Sequence, residues 1–276
     1  MSDSRRRRVL TYLAVFAVGV TVGAVGLVAG AGGLIQTSTS DGTPIVSVRP
    51  TGVGLPLVGA SGTVGAGDYA SVLKTYHDTG AYAKDLRTVD RQARRYLLDR
   101  VHAIRSHPCQ DTGGGPSSKR RACAPFKPAL VLDIDETSLS NYQNLASSNF
   151  TNAVAALAVG VINGGDPPIR PTLHLFKAAR NNRIAVFFIT GRPDNIPGVR
   201  SRTQSNLKSA GYSGWAGLSL NPGGLATVPY KSGERAEIEQ RGYRIIANVG
   251  DQESDLQGGH ADRGFKLPNP FYFIGP

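Results

Sequence analysis

Two aspartates, Asp133 and Asp135, stand one residue apart at the end of the apolar run Ala129-Leu130-Val131-Leu132, with the Thr137 hydroxyl just beyond. The run reads as a buried strand. Alternate strand residues share a face, so both carboxylates can converge on one substrate. Capping of a following helix would explain an isolated pair equally well. Two further apolar runs change the balance. Ile184–Ile189 ends in Thr190-Gly191, and Arg244–Val249 ends in Gly250-Asp251, with Asp255 four residues on. Lys231 is expected to open a helix between those two strands. In a parallel sheet all three strand ends lie on one rim, where open α/β sheets bind ligands.

The chemistry of this set is narrow. Several aspartates in one crevice repel each other unless a cation is present, and all-oxygen ligands select a hard ion such as Mg²⁺. A magnesium ion beside a lysine and a hydroxyl suits an incoming phosphate group. A carboxylate that attacks phosphorus forms an aspartyl-phosphate and divides hydrolysis into two easier steps. A second carboxyl can protonate the leaving alcohol and then deprotonate water. Local alternatives stay open: Thr190-Gly191 as a strand-ending turn, Lys231 as a solvated helix residue, Asp255 as a helix cap, Arg192 as a structural ion-pair partner.

The elements that must position these groups follow from the hydrophobic pattern. Two amphipathic helices are expected between Asp68 and Ile104, interrupted near Gly80, as an N-terminal helical extension. Further helices are expected over Thr151–Val161, Thr172–Arg180, Val199–Ala210 and Gly233–Arg241, with a short strand at Gly217–Leu220. Strands alternating with helices predict an α/β fold, a Rossmann-like parallel sheet with helices on both faces. Residues 138–170 read as a small helical cap insertion within a domain over 68–276. Residues 37–67, rich in Gly, Ser, Thr, Pro and Val, read as a flexible linker.

The chain has 276 residues, a 40% hydrophobic content that supports a packed core, and a net charge of +11. Such a charge favours anionic partners of any kind. No interleaved aromatic-basic pattern or zinc-finger spacing supports specific nucleic-acid binding. Arg5, Arg6, Arg7 and Arg8 precede an uncharged stretch from Val9 to Ile35. Residues 1–36 therefore read as a cytoplasmic basic tip with a signal peptide or a signal-anchor transmembrane helix. Uncleaved, that helix would make the membrane a partner and the protein a cell-surface one. Cleaved at the small-residue triplet Ala29-Gly30-Ala31, it would leave an extracellular protein. Cys109 and Cys123, the two cysteines, bracket a polar loop and in an exported protein form a disulfide. Closing a loop of about 15 residues stabilises by roughly 3 kcal/mol. A metal pair would need further ligands, and a redox pair the closer Cys-x-x-Cys spacing.

The motifs resemble those of the haloacid dehalogenase-like superfamily of aspartate-nucleophile phosphatases. Asp133-Ile134-Asp135-Glu136-Thr137 is similar to its first motif, Ile189-Thr190-Gly191-Arg192 to its second, Lys231 to its third and Gly250–Asp255 to its fourth. The Tyr76 to Asp85 region, Tyr230–Arg235, Asn248–Gln252 and Phe265–Pro270 resemble subfamily IIIB, the plant acid phosphatases and vegetative storage proteins. The resemblance covers roughly residues 68–276. It implies that Asp133 is nucleophile and magnesium ligand, and that Asp135 is general acid/base with its carbonyl on the metal. It further implies that Thr190 and Gly191 hold the phosphoryl oxygens with Lys231, and that Asp251 and Asp255 complete the metal site. An exported magnesium-dependent acid phosphatase acting on small phosphorylated substrates is expected. Transfer of phosphate to another alcohol and a binding-only surface protein are the alternatives. Asn141, Tyr142 and Phe150 are expected either to line the entrance or to pack the insertion. No histidine lies in an Arg-His-Gly motif, which leaves a phosphohistidine mechanism without support.

Overall fold

A computed structural model describes residues 34–48, 69–106 and 126–274. Seven strands form one sheet in the order β1-β2-β7-β6-β3-β4-β5. They are β1 (Leu34–Ser38), β2 (Pro44–Val48), β3 (Lys127–Leu132), β4 (Ala185–Pro193), β5 (Gly217–Asn221), β6 (Tyr243–Gly250) and β7 (Gly264–Lys266). All neighbours pair in parallel except β1 on β2. The helices are α1 (Ala70–Asp78), α2 (Ala81–Ser106), α3 (Tyr142–Ser147), α4 (Ala153–Asn163), α5 (Arg170–Asn181), α6 (Val199–Ser209) and α7 (Thr227–Gln240).

Period-two alternation divides the core. Ala129 and Val131 of β3 join Phe187, Ile189 and Ile245 under Tyr230 and Ile238 of α7. Leu130 and Leu132 point the other way, with Val186, Phe188 and Val249, against α2 and α5. A strand buried on both faces reads as a continuous apolar run, as this one does. The chain leaves β3 for β4 and β5 on one side, then crosses back to β6 on the other. The order therefore reverses between β3 and β6, the position at which such sheets open a binding crevice.

The expected helix pair does break at Gly80, whose φ of 80° most side chains avoid. Pro171 sits in the first turn of α5, where its missing N–H costs nothing. α7 begins at Thr227, earlier than expected, so Lys231 lies in its second turn rather than at its start.

Other expectations need correction. The expected transmembrane helix and membrane anchoring are not borne out, since no helix among the described residues is long and apolar enough to cross a membrane. The last two residues of the uncharged stretch, Leu34 and Ile35, lie in a strand; residues 1–33 lie outside the described residues. Part of the expected linker is structured too. β1 and β2 pair from Leu34↔Val48 to Ser38↔Pro44, and β2 extends the parallel sheet beside β7. Ile45, Val46 and Val48 are buried, while β1 at the edge is largely exposed. Cys109, Cys123 and their expected disulfide lie outside the described residues, as does the linker beyond Val48 up to residue 68.

Candidate active site

The aspartates meet at the end of β3. Beyond Leu132 the backbone stays tied to the neighbouring strand, with Asp133 N–H donating to the Val249 carbonyl at 3.0 Å. It then turns tightly, the Ser138 and Leu139 amides both donating to the Ile134 carbonyl at 2.8 Å. Glu136 adopts a positive φ of 50° within this turn. That strained conformation is held by its own side chain, which accepts from the Asn141 amide at 2.5 Å and from the Tyr272 hydroxyl at 3.1 Å. Burial, then repulsion from Asp135 and Asp251, pushes Glu136 well above the usual carboxylate range.

Lys231 arrives from α7 and lies between two carboxylates. Its Nζ donates to Asp133 Oδ1 and to Asp255 Oδ1, each at 2.6 Å. It is a buried residue with an ion-pair role, not a solvated helix lysine. Burial works against its charge, but Asp133 and Asp255 outweigh burial and raise its pKa, keeping the ammonium protonated.

Asp251 follows β6, and a one-turn 3-10 helix, Glu253–Asp255, folds Asp255 back beside it. The Gln252 amide donates to Asp255 Oδ2 at 2.9 Å, and Asp255 is thus both a turn-capping residue and a member of the site. A side chain at Gly250 would collide with the Asp255 carboxylate, so this return requires glycine. Three groups orient Asp251: the Thr137 hydroxyl at 3.0 Å, the Gln252 amide at 2.6 Å and the Asn269 amide at 2.7 Å. Burial and Asp255 push Asp251 to about 6 despite those donors.

The carboxylates of Asp133, Asp251 and Asp255 each present an oxygen within 4.8 Å of the others, and all three residues are buried. Burial, together with Asp255, Asp251 and Asp135, pushes Asp133 well above its ordinary value even against Lys231. Three converging buried acids, of which Asp133 and Asp255 share a single ammonium, leave excess negative charge that a hard divalent cation would neutralise. The donor set fits such an ion.

Asp135 faces a different partner. Arg192 Nε donates to Oδ2 at 2.9 Å and Nη2 to Oδ1 at 2.7 Å, while Asn141 Nδ2 reaches Oδ1 at 2.9 Å. Burial would raise Asp135, but the guanidinium outweighs it and holds the carboxyl below its usual range. Arg192 Nη2 also lies 3.7 Å from Asp166 Oδ2 in the insertion. Arg192 thus pairs with two carboxylates, the ion-pair role that was one of the alternatives left open for it. Thr190 is fully buried on β4, two residues beyond the Leu132–Phe188 pair, and its hydroxyl accepts from Arg192 N–H at 3.2 Å. Gly191 is exposed, with open space where a side chain would stand.

In the insertion, Asn141 touches the site directly, whereas Phe150 is packing. Phe150 is buried and stacks on Phe271 at 5.5 Å, and Tyr142 stacks on His77 of α1 at 3.4 Å. Sequence reasoning missed the roles of Thr137, Gln252, Asn269 and Asp166. Thr137 and Gln252 adjoin recognised acids, which was a usable signal. Asn269 lies in the Phe265–Pro270 stretch that carried the resemblance, whereas Asp166 carries no such signal and is brought in by tertiary structure alone.

Comparison with known proteins adds to this geometry. Residues 68–275 match the family model of the HAD superfamily, subfamily IIIB (acid phosphatase). The chain is 32% identical to the stem 28 kDa glycoprotein of Glycine max, over 73% of this chain and 73% of that one. It is 36% identical to acid phosphatase 1 of Solanum lycopersicum, over 52% of this chain and 58% of that protein. The class C acid phosphatase of Bacillus anthracis with tungstate bound superposes with a TM-score of 0.52. That match has 16% identity, covers 75% of this chain and 86% of that one, and speaks for the fold.

Proposed function

Since the chain belongs to the HAD superfamily, subfamily IIIB, and is a phosphomonoesterase of the acid phosphatase family, we propose that it hydrolyses small phosphate monoesters through an aspartyl-phosphate on Asp133. The observation that carries this reading is the placement of Lys231 2.6 Å from both Asp133 and Asp255, at the sheet's reversal point.

A carboxylate oxygen of Asp133 attacks phosphorus, and the bond to the ester oxygen breaks. Asp135 gives its proton to the departing alcohol. Water then attacks the phosphorus of the acyl phosphate and yields its proton to Asp135, so inorganic phosphate leaves and Asp133 is restored. Lys231 balances charge on the nucleophile and the transferring group. The Thr190 hydroxyl and the Gly191 amide would hold phosphoryl oxygens, for which the open space at Gly191 leaves room. Asp133, Asp251, Asp255 and the Asp135 carbonyl would hold Mg²⁺. When bound, that ion supplies positive charge against the phosphate and the clustered acids. The Arg192 guanidinium holds the Asp135 carboxyl below its usual range, which favours the ionised form that takes the proton from water.

The basic Arg5–Arg8 cluster and the uncharged residues behind it support export of the domain.

The test is phosphate release from an aryl phosphate between pH 4 and 8, with magnesium, with chelator, and with Asp133→Asn. Turnover that requires metal and vanishes in a folded Asp133→Asn protein is expected. Persistent turnover in that variant would rule out Asp133 as nucleophile.

A further inference from the structure

A groove of about 700 Å³ lies between α2 and α5, and none of Asp133, Asp251 and Asp255 lines it. Its volume is typical of small-molecule sites. Leu86 of α2, with Ile169, Leu175 and Pro168 from the α5 side, makes its wall apolar. Its rim is basic. Arg87, Arg91 and Arg94 of α2 line one side, and Arg170 and His174 of α5 line the other.

The spacing puts Arg87, Arg91 and Arg94 on one stripe of α2, where like charges repel. Among the described residues, none of the four arginines has an acidic partner within ion-pair distance. The arrangement is a cost to the free protein that an anion would relieve. α5 starts at the same place, and its Ile169 N-cap provides no side-chain cap and its first turn no acid. The positive end of its dipole is therefore uncompensated at the groove. The acid on this wall is Asp90, which is buried and accepts from the Thr172 hydroxyl at 3.3 Å. Burial raises it to about 8, so at neutral pH it is mostly protonated and does not oppose an anion.

We propose that this groove is a second binding site, for an organic anion with an apolar body. The oxyanion head sits among Arg87, Arg91, Arg94, Arg170 and the first turn of α5, and the apolar body lies on Leu86, Ile169 and Leu175. The site is independent of the phosphatase reading, because no residue assigned to hydrolysis lines it.

Titration of the full chain with 8-anilinonaphthalene-1-sulfonate reads the groove by fluorescence. Decanoate, decylphosphonate and inorganic phosphate serve as competitors, and none of these can be hydrolysed. Saturable binding is expected, weakened at least about tenfold both by Arg91→Ala combined with Arg170→Ala and by the groove-filling Ala83→Trp. Displacement by decanoate or decylphosphonate at concentrations where inorganic phosphate fails is expected, and the tighter of the two names the head group. Absence of saturable binding would overturn the proposal, as would binding indifferent to both substitutions. Displacement by inorganic phosphate as effective as by the decyl compounds would also overturn it, since it would reveal only a charged patch. The competitor series on the native chain decides the question even if a variant folds poorly.

Discussion

Arg192 and Asp135 form a two-point clamp, Nε to Oδ2 at 2.9 Å and Nη2 to Oδ1 at 2.7 Å, with the guanidinium 3% exposed. The clamp fixes the carboxyl that is proposed to move the proton and leaves it little rotational freedom. Its value should depend on how badly the leaving group needs that proton.

Arg192→Gln should therefore lower turnover of an alkyl phosphate by about 100-fold, within the usual range for losing a positioned acid or base. Turnover of a nitrophenyl phosphate, whose leaving group departs as a stable anion, should fall much less. Equal losses on both substrates would mean that Arg192 acts on the phosphate instead.

Lys231 is predicted to act on charge and not on protons. Lys231→Met should cut kcat by about 100- to 1000-fold on aryl and alkyl substrates alike. Removing the ammonium leaves Asp133 and Asp255 facing each other in a buried site. The variant's thermal midpoint should consequently respond more strongly to added magnesium than the native protein's. Asp251→Asn should show the opposite, a midpoint that magnesium barely moves. Differential scanning with and without chelator measures both.

The Asp90 carboxyl gives a pH signature remote from catalysis. Its folded-state value is raised to about 8 by burial, against about 4 in the unfolded chain. Between those values the native state binds a proton that the unfolded state has lost. Stability linked to Asp90 is thus fully present below about pH 4 and falls as pH rises towards 8. His77, Tyr82, Arg87, Arg91, Arg94, Ser140, Arg170 and His174 share the groove with it, and the Thr172 hydroxyl donates to it. Asp90→Asn should flatten the decline, with urea midpoints similar at pH 4 and higher than native at pH 8. An unchanged pH slope would place Asp90 in a more polar setting.

Gly160 of α4 tests how closely the insertion is fitted. A Cβ there would stand 2.8 Å from Asp166 Oδ1 and would collide with the Asn141 side chain. Gly160→Ala should raise helix propensity yet lower kcat, since Asn141 must move off Asp135. Increased stability with undiminished kcat would show that the insertion yields at no cost to the site.

Much of this arrangement was legible in the chain because it depends on local pattern. Leu130 to Leu132 announce a strand with two covered faces, and Asp133 and Asp135 at its end are where such a run has no reason to place acids. Gly80 and Pro171 mark helix boundaries through backbone geometry alone. The hairpin at Leu34–Val48 was not legible, since the pairing that orders Gln36 and Thr37 is contributed by β2, and β2 in turn rests on β7, more than two hundred residues away. β7 itself, three residues long, is too short for periodicity to register. The same holds for Asn269 and Asp166, whose partners, Asp251 and Arg192, are set by the way distant loops fold over the rim.

The insertion also has an unusual means of attachment. Its two ends run side by side: Ser140 N–H donates to the Pro167 carbonyl and Ile169 N–H to the Ser138 carbonyl, each at 2.9 Å, with Leu139 paired to Pro168 between them. Tyr212, from the loop after α6, fastens the base through its hydroxyl to the Ser138 carbonyl at 2.9 Å. The segment therefore leaves and re-enters the sheet through a closed neck. Such a neck makes whatever lies beyond Asn141 and before Asp166 exchangeable. Segments of different length could be spliced there without disturbing the strand order, so substrate preference can diversify in descent while the carboxylates beneath stay where they are.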